Sequence, residues 1–274
     1  MELEILEPHG FCAGVKGALE RARRHPDAWC LHELVHNDQV VEELRAGGMK
    51  FVESLDDIPE GGTVVFSAHG VSRTVREQAR RRGLRIVDAT CPFVARVHRE
   101  AKEFALRGLD VVVIGHKGHA ECEGIVGEVV AAHGRVFVYP DLPPQGAKIG
   151  VVSQTTMNAD DVAAIVSRLK DAYEVAAAAQ VCNATKERQD AVKRFSGDAL
   201  IVLGGAKSSN TRRLVEVARC RAYRVGTHEE LAAIPLDGVR RLGITAGAST
   251  PEKSLRSAIE FIAAQRGPKL GGAV

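Results

Sequence analysis

The chain has 274 residues, 45% hydrophobic and 26% charged, with a net charge of +2. That balance is ordinary for a globular protein and excludes a disordered chain, and so small a charge does not by itself imply nucleic-acid binding. No apolar run approaches the ~20 residues that a membrane-spanning helix requires.

The first residues, Met1-Glu2-Leu3-Glu4-Ile5-Leu6-Glu7, are acidic and too poor in apolar residues for a secretory leader. A strand within 1–9 and a cytoplasmic location are expected. Thr63–Phe66 is short, apolar and β-branched, as a strand buried on both faces should be. Ser72 can cap a helix that runs to Gly83. Pro92 suits a first helical position; Val94, Val97, Ala101 and Phe104 then share a face, and Gly108 ends the element. Further strands are expected at 110–114, 148–152, 200–203 and 241–244. A helix follows Asn158, with Val162, Ile165, Val166 and Leu169 at helical spacing. Thr250-Pro251-Glu252 reads as the N-cap, N1 and N2 of a helix, with Leu255, Ala258, Ile259 and Ile262 facing inward. Residues 265–274 read as a flexible tail.

Strands alternating with helices predict parallel sheets. Each third of the chain holds a strand leading into a Gly/Ser/His loop, so three small α/β domains are expected rather than one large sheet. The expected boundaries are 10–91, 92–181 and 182–265, the last taking in the N-terminal strand, with 266–274 left over. In such sheets ligands bind beyond the carboxyl ends of the strands. The loops there are rich in chemistry: His36-Asn37, Ala68-His69-Gly70, Gly115 to Glu121, Ser153-Gln154-Thr155-Thr156, Gly204 to Asn210 and Ala246-Gly247-Ala248-Ser249. Glycines let a backbone approach a ligand, and helix N-termini favour anions. Together these loops predict a polar, anion-binding pocket, although none matches a phosphate-loop or dinucleotide fingerprint. Two basic runs, at 21–24 and 80–82, read as solvated helix faces, with a docking patch for an acidic redox partner as the alternative.

Six cysteines in a chain of this kind do not suggest a disulfide framework. Cys30, Cys122 and Cys220 read as small buried hydrophobes. Cys12, Cys91 and Cys182 differ: one falls in each third, each among small residues. No Cys-x-x-Cys pair favours zinc, and no tight ferredoxin spacing is present. Three distant thiolates can still serve a soft metal site, whether iron–sulfur, zinc or Cu(I).

The motifs Gly10-Phe11-Cys12-Ala13-Gly14, Val35-His36-Asn37, Ser67-Ala68-His69-Gly70, Asp88-Ala89-Thr90-Cys91-Pro92, His119-Ala120-Glu121, Gln154-Thr155-Thr156, Cys182-Asn183-Ala184-Thr185, Ser208-Ser209-Asn210 and Thr245-Ala246-Gly247-Ala248-Ser249 occur in one order. In that order they resemble the IspH/LytB family over about residues 5–265. The resemblance implies three α/β domains in a pseudo-threefold arrangement around a central iron–sulfur site. It implies a 4Fe–4S cluster held by Cys12, Cys91 and Cys182, with one iron left without a protein ligand. It implies reductive removal of the hydroxyl from an allylic diphosphate, 4-hydroxy-3-methylbut-2-enyl diphosphate, as the last step of non-mevalonate isoprenoid precursor synthesis. Glu121 matches the family's proton source, and Thr155 the hydroxyl that orients substrate and relays protons. His36, His69, His119, Thr156, Ser208, Ser209, Asn210 and Ser249 match the substrate-binding set. An electron donor such as ferredoxin or flavodoxin is implied, and neither nucleic acid nor membrane. Two other readings share the cluster: a non-redox hydro-lyase and a non-catalytic cluster sensor.

Overall fold

The computed structural model describes residues 1–178, 181–266 and 269–270. The chain opens with β1 (Glu2–Ile5) and α1 (Ala13–Arg23). Next come β2 (Trp29–Leu31), α2 (Asp38–Ala46), β3 (Lys50–Val52), β4 (Thr63–Phe66), α3 (Arg73–Arg81), β5 (Arg85–Asp88) and α4 (Pro92–Leu106). The middle holds β6 (Asp110–Ile114), α5 (Ala120–Ala131), β7 (Val136–Val138), β8 (Lys148–Ser153), α6 (Ala159–Ala172), β9 (Glu174–Ala178) and α7 (Asn183–Arg194). The last part holds β10 (Ala199–Leu203), α8 (Ser209–Glu216), β11 (Arg221–Val225), α9 (His228–Ala232), β12 (Arg241–Ala246), α10 (Glu252–Arg266) and β13 (Lys269–Leu270).

These strands form three sheets, and every strand pair is parallel. The orders are β3-β2-β4-β5, β7-β6-β8-β9 and β11-β10-β12-β1-β13. Each sheet therefore repeats one plan. Its first strand lies inside, the second goes to one edge, and the third and fourth extend the other way. In the third sheet the chain's own first strand, β1, fills the fourth place, paired with β12 from Glu2↔Arg241 to Ile5↔Ile244. The expectation of three parallel α/β units is met.

By packing, the described chain falls into two compact units. One gathers Met1–Cys12, His36–Val40 and the described residues from Asn183 on; the other holds Ala13–Val35 and Val41–Cys182. The first unit contains the sheet completed by β1, the second the other two sheets.

The inner strands are covered on both faces, which is why their sequences are continuously apolar. Along β6, Val111 and Val113 pack with Val97, Ala101 and Phe104 of α4, whereas Val112 and Ile114 pack with Val162, Ile165 and Leu169 of α6. Along β10, Ile201 and Leu203 face Leu255 and Ile262 of α10, while Leu200 and Val202 face Val192 and Leu214.

The helix signals behave as the sequence suggests, with one exception. Ser72 caps α3 through Val75 N–H, and Asn158 caps α6 through Asp160 N–H. Thr250 does not cap: its hydroxyl donates to the Leu203 carbonyl at 3.1 Å, and α10 starts at Glu252. The C-terminal stretch read as a flexible tail is partly built. Arg266 ends α10, and Lys269 and Leu270 pair with Glu2 and Leu3 of β1. The rest of that tail lies outside the described residues. Cys30 and Cys122 are fully buried, but Cys220 is only half-buried.

Gly150, in β8, shows how tightly the inner strands are covered. A Cβ placed there would stand 2.4 Å from the Phe104 ring. Gly150→Ala should cost about 1–3 kcal/mol through overpacking, with an unchanged urea m-value. Equilibrium denaturation checks this.

Candidate active site

The repeated sheet plan delivers chemistry at repeated places. Each fourth strand (β1, β5, β9) leads to one of the singled-out cysteines, and each cysteine stands immediately before a helix: Cys12 before α1, Cys91 before α4, Cys182 before α7. Their amides are held alike. Cys12 N–H donates to the Ala248 carbonyl at 3.1 Å, Cys91 N–H to Ala68 at 3.0 Å and Cys182 N–H to Thr155 at 3.3 Å. Each acceptor lies just past the neighbouring third strand. The residue after each acceptor is Ser249, His69 or Thr156, all members of the expected substrate set. The first strands follow a second rule. Asn37, His119 and Ser208 each use a side-chain acceptor to cap the next helix, through Val40, Glu121 and Thr211 N–H.

In the two-sheet unit, these rules gather His69, His119, Glu121, Thr155 and Thr156. The rings of His69 and His119 meet edge-on at 5.7 Å. Glu121, in the first turn of α5, is 1% exposed. Thr155 holds both its oxygens: the amide donates to Oε1 at 2.7 Å and the hydroxyl to Oε2 at 3.1 Å. Burial pushes the Glu121 carboxyl up to about 7, and the two Thr155 hydrogen bonds oppose this only in part. A carboxyl in that state can hold a proton near neutrality and give it up. Gln154 braces the wall, accepting from His116 N–H at 3.2 Å and donating to the Thr156 hydroxyl at 3.0 Å.

In the other unit, the same rules gather Cys12, His36, Ser208, Ser209, Asn210 and Ser249. The Ser249 hydroxyl donates to the His36 carbonyl at 3.3 Å. Ser208, Ser209 and Asn210 are each 4% exposed at the start of α8. Asn210 sits beside Gly247, whose Cβ, if present, would lie 3.4 Å from the amide nitrogen. Both the oxygen and the nitrogen of the Asn210 amide are buried without a hydrogen-bond partner. A buried orphan amide is costly unless something else completes it, and a polar ligand at the head of α8 would. A cavity of about 640 Å³ in this unit lies off to one side, at the ends of β10 and β11. It reaches Asn37 and Gly205 but none of the expected ligands in the α8 turn, and its Arg224 is bound to Glu230 and the Gly204 carbonyl.

The donor set of the three cysteines fits a cluster. None is in a disulfide, and all three are partly exposed, unlike Cys30 and Cys122. The thiolate is the ligating form, and negative charge is favoured at a helix N-terminus. Among the described residues, no three His, Cys, Asp or Glu side chains converge on a point suited to a single metal ion. In a cluster each thiolate binds its own iron, so such convergence is not required. Cys122 stands outside this set; burial first, then the charges of Glu123 and Glu121, push its thiol up to about 11, which suits an inert core residue.

Two supports act through neighbours that the sequence alone does not reveal. Arg188, 4% exposed, donates to the Gly10 carbonyl at 2.8 Å and so braces the loop carrying Cys12. Its partner lies far away in the chain, and among Lys186, Glu187 and Asp190 of the same helix it looks like one more surface charge. Thr211 has a buried hydroxyl without a partner, set against Gly204 and Gly247.

A family model described as LytB protein matches residues 3–263. A 4-hydroxy-3-methylbut-2-enyl diphosphate reductase 2 of Burkholderia mallei is 44% identical over 268 residues, covering 92% of this chain and 82% of the relative. A protein of the same enzyme name from Azoarcus sp. is 43% identical over 283 residues, covering 97% and 91%. Among solved structures, the E-1-hydroxy-2-methyl-but-2-enyl-4-diphosphate reductase from Plasmodium falciparum is similar at a TM-score of 0.88 and 30% identity, covering 96% of this chain and 88% of that one.

The Glu121 carboxyl makes a prediction about stability. Its folded pKa of about 7 lies above the ordinary 4.5, so the native state binds a proton that the unfolded state has released. The stability attached to it is present below about pH 4.5, declines as pH rises toward 7, and is absent above. Glu121→Gln should remove this decline. Thermal melts of wild type and variant, without cluster, across about pH 5 to 8 should diverge accordingly; parallel curves would contradict the burial argument.

Proposed function

The chain belongs to the LytB family, and on that premise we propose how its residues carry out the reaction. It is a 4-hydroxy-3-methylbut-2-enyl diphosphate reductase, an oxidoreductase of isoprenoid precursor synthesis. The substrate's allylic hydroxyl leaves as water, and two electrons and two protons are consumed. One proton completes the water; the other is delivered to the allylic carbon skeleton, giving isopentenyl or dimethylallyl diphosphate.

Cys12, Cys91 and Cys182 hold a 4Fe–4S cluster in this reading, supported by their common place before helices α1, α4 and α7. When bound, such a cluster supplies Lewis acidity from an iron without a protein ligand, and a route for electrons from an external donor. Ferredoxin or flavodoxin is the donor class. Among the described residues no helix is long and apolar enough to cross a membrane, and we place the enzyme in the cytoplasm. The expected boundaries at 10–91, 92–181 and 182–265 are proposed as its three domains.

The protein's residues divide the remaining work. His36, His69, His119, Thr156, Ser208, Ser209, Asn210 and Ser249 bind the substrate and its diphosphate, with the orphaned Asn210 amide completed by it. The diphosphate is remote from the bond that breaks, so its binding energy positions the hydroxyl. Glu121 holds a proton at its carboxyl and delivers it toward the departing hydroxyl, for hydroxide leaves poorly without one. Thr155 keeps that carboxyl aimed and passes the proton through its own hydroxyl.

The observation that carries this reading is the buried Glu121 carboxyl with both oxygens held by Thr155. Glu121→Gln should lower kcat by about 10²–10⁴ while iron content and substrate binding persist. Full activity in that variant would remove Glu121 from the mechanism. In wild type, kcat should fall as pH rises through about 7, where Glu121 loses its proton. Cys91→Ser should strip iron and sulfide from anaerobically prepared protein. Turnover without dithionite and a mediator would instead mark a hydro-lyase.

A further inference from the structure

His98 lies on α4 and is buried, 6% exposed. It fills space that two glycines from different elements leave open. A Cβ at Gly70 would stand 2.9 Å from its Cε1, and one at Gly124 only 2.7 Å away. Neither distance is tolerated by real side chains, so the ring touches both backbones at the closest approach that glycine permits. Gly70, at φ +76°, directly follows His69. Gly124 lies three residues past Glu121 on α5, hence on the same side of that helix. The ring's Nε2 is buried without a hydrogen-bond partner. A plain core position would be better served by a residue without that nitrogen.

We propose that His98 is a positioning residue for the reaction, a wedge between the His69 loop and the Glu121 helix that fixes the proton donor relative to the substrate-binding histidine. The inference rests on the roles given above to Glu121 and His69. The groups around the ring agree with it. Arg76 donates to Asp88 at 2.5 Å and to the Thr90 hydroxyl at 3.4 Å, closing the side next to Gly70. Burial first, then the Arg76 charge, push the imidazole down to about 4, with Asp88 opposing. The ring is therefore neutral at working pH, and keeps water from the back of the turn that carries Glu121. A shape that locks two elements together this closely transmits any change in it to both.

The test uses cluster-loaded, anaerobically purified enzyme and three variants: His98→Ala, Gly124→Ala and the pair. Each single change should lower kcat about tenfold or more with a smaller change in KM, because a displacement well under an ångström misaligns the donor. The pair should lose little beyond either single change, since the methyl at position 124 then enters the space the ring has left. A second readout needs no turnover: infrared titration of the Glu121 carboxyl in cluster-free protein, with Glu121→Gln identifying the band. In His98→Ala its midpoint should fall from about 7 toward the ordinary 4.5 as water gains access. A merely structural histidine would lower the melting temperature and leave this midpoint in place. Unchanged kcat and an unchanged midpoint in His98→Ala, or strictly additive losses in the pair, would overturn the proposal. If His98→Ala does not fold, Gly124→Ala alone decides, for wild-type kcat there is incompatible with a wedge. Should Glu121→Gln prove active, the proton-donor assignment fails first; if it is inactive while the His98 and Gly124 variants behave as wild type, only this inference falls.

Discussion

A cysteine amide donating to a carbonyl on the adjacent strand's loop is the constraint from which the site follows. It occurs three times, at Cys12, Cys91 and Cys182. Each bond stops the chain at the carboxyl end of a parallel sheet, where a ligand can be met, and starts a helix one residue later. Each cysteine is thereby placed at a helix N-terminus, its amide bonded to the residue that directly precedes Ser249, His69 or Thr156. The bond can recur because the strand order recurs in each sheet. One sheet recruits its fourth strand from the opposite end of the chain, which is why Cys12 belongs in structure with residues from the C-terminal third.

Against that repeated frame, the differences carry the chemistry. Position two of the helix after the first strand is Gln39 in one sheet, Glu121 in the second and Asn210 in the third. Gln39 is exposed, whereas the other two are buried. Glu121 is satisfied by Thr155 and has its carboxyl pushed up to about 7 by desolvation; Asn210 is left unsatisfied. A site for an anionic substrate needs both kinds of group, a proton source kept dry and polar atoms waiting for a ligand. Burial serves both, raising the pKa of the acid and making an unfilled amide costly enough to favour occupation.

Much of this was legible in the sequence because the relevant signals are local. The inner strands β4, β6, β8, β10 and β12 announce themselves as short, nearly continuous apolar runs with β-branched residues, since both their faces are covered. Ser72, Pro92 and Asn158 mark helix starts because a cap acts within one turn. Strands such as Lys50–Val52 and Arg221–Val225 were not legible; they are edge strands, half-buried, and their polar residues mask the pattern. Thr250 was misread as a cap because its acceptor, Leu203, lies on a different strand. For the site, the loops and cysteines stood out as composition, and the family resemblance supplied their roles. What sequence could not supply was the depth of Glu121, the orphaned amide of Asn210, or the hold of Arg188 on Gly10, for these depend on residues distant in the chain.

The claim beneath all of this is that three thiolates leave one iron of a cluster for the substrate. The most direct measurement is Mössbauer spectroscopy of anaerobic, ⁵⁷Fe-loaded protein with and without substrate. The account predicts a 4Fe–4S spectrum in which a single iron changes its parameters when substrate is added, while the other three stay as they were. A cluster whose four irons are all insensitive to substrate, or iron that persists undiminished when Cys12, Cys91 and Cys182 are each replaced by Ser, would contradict it.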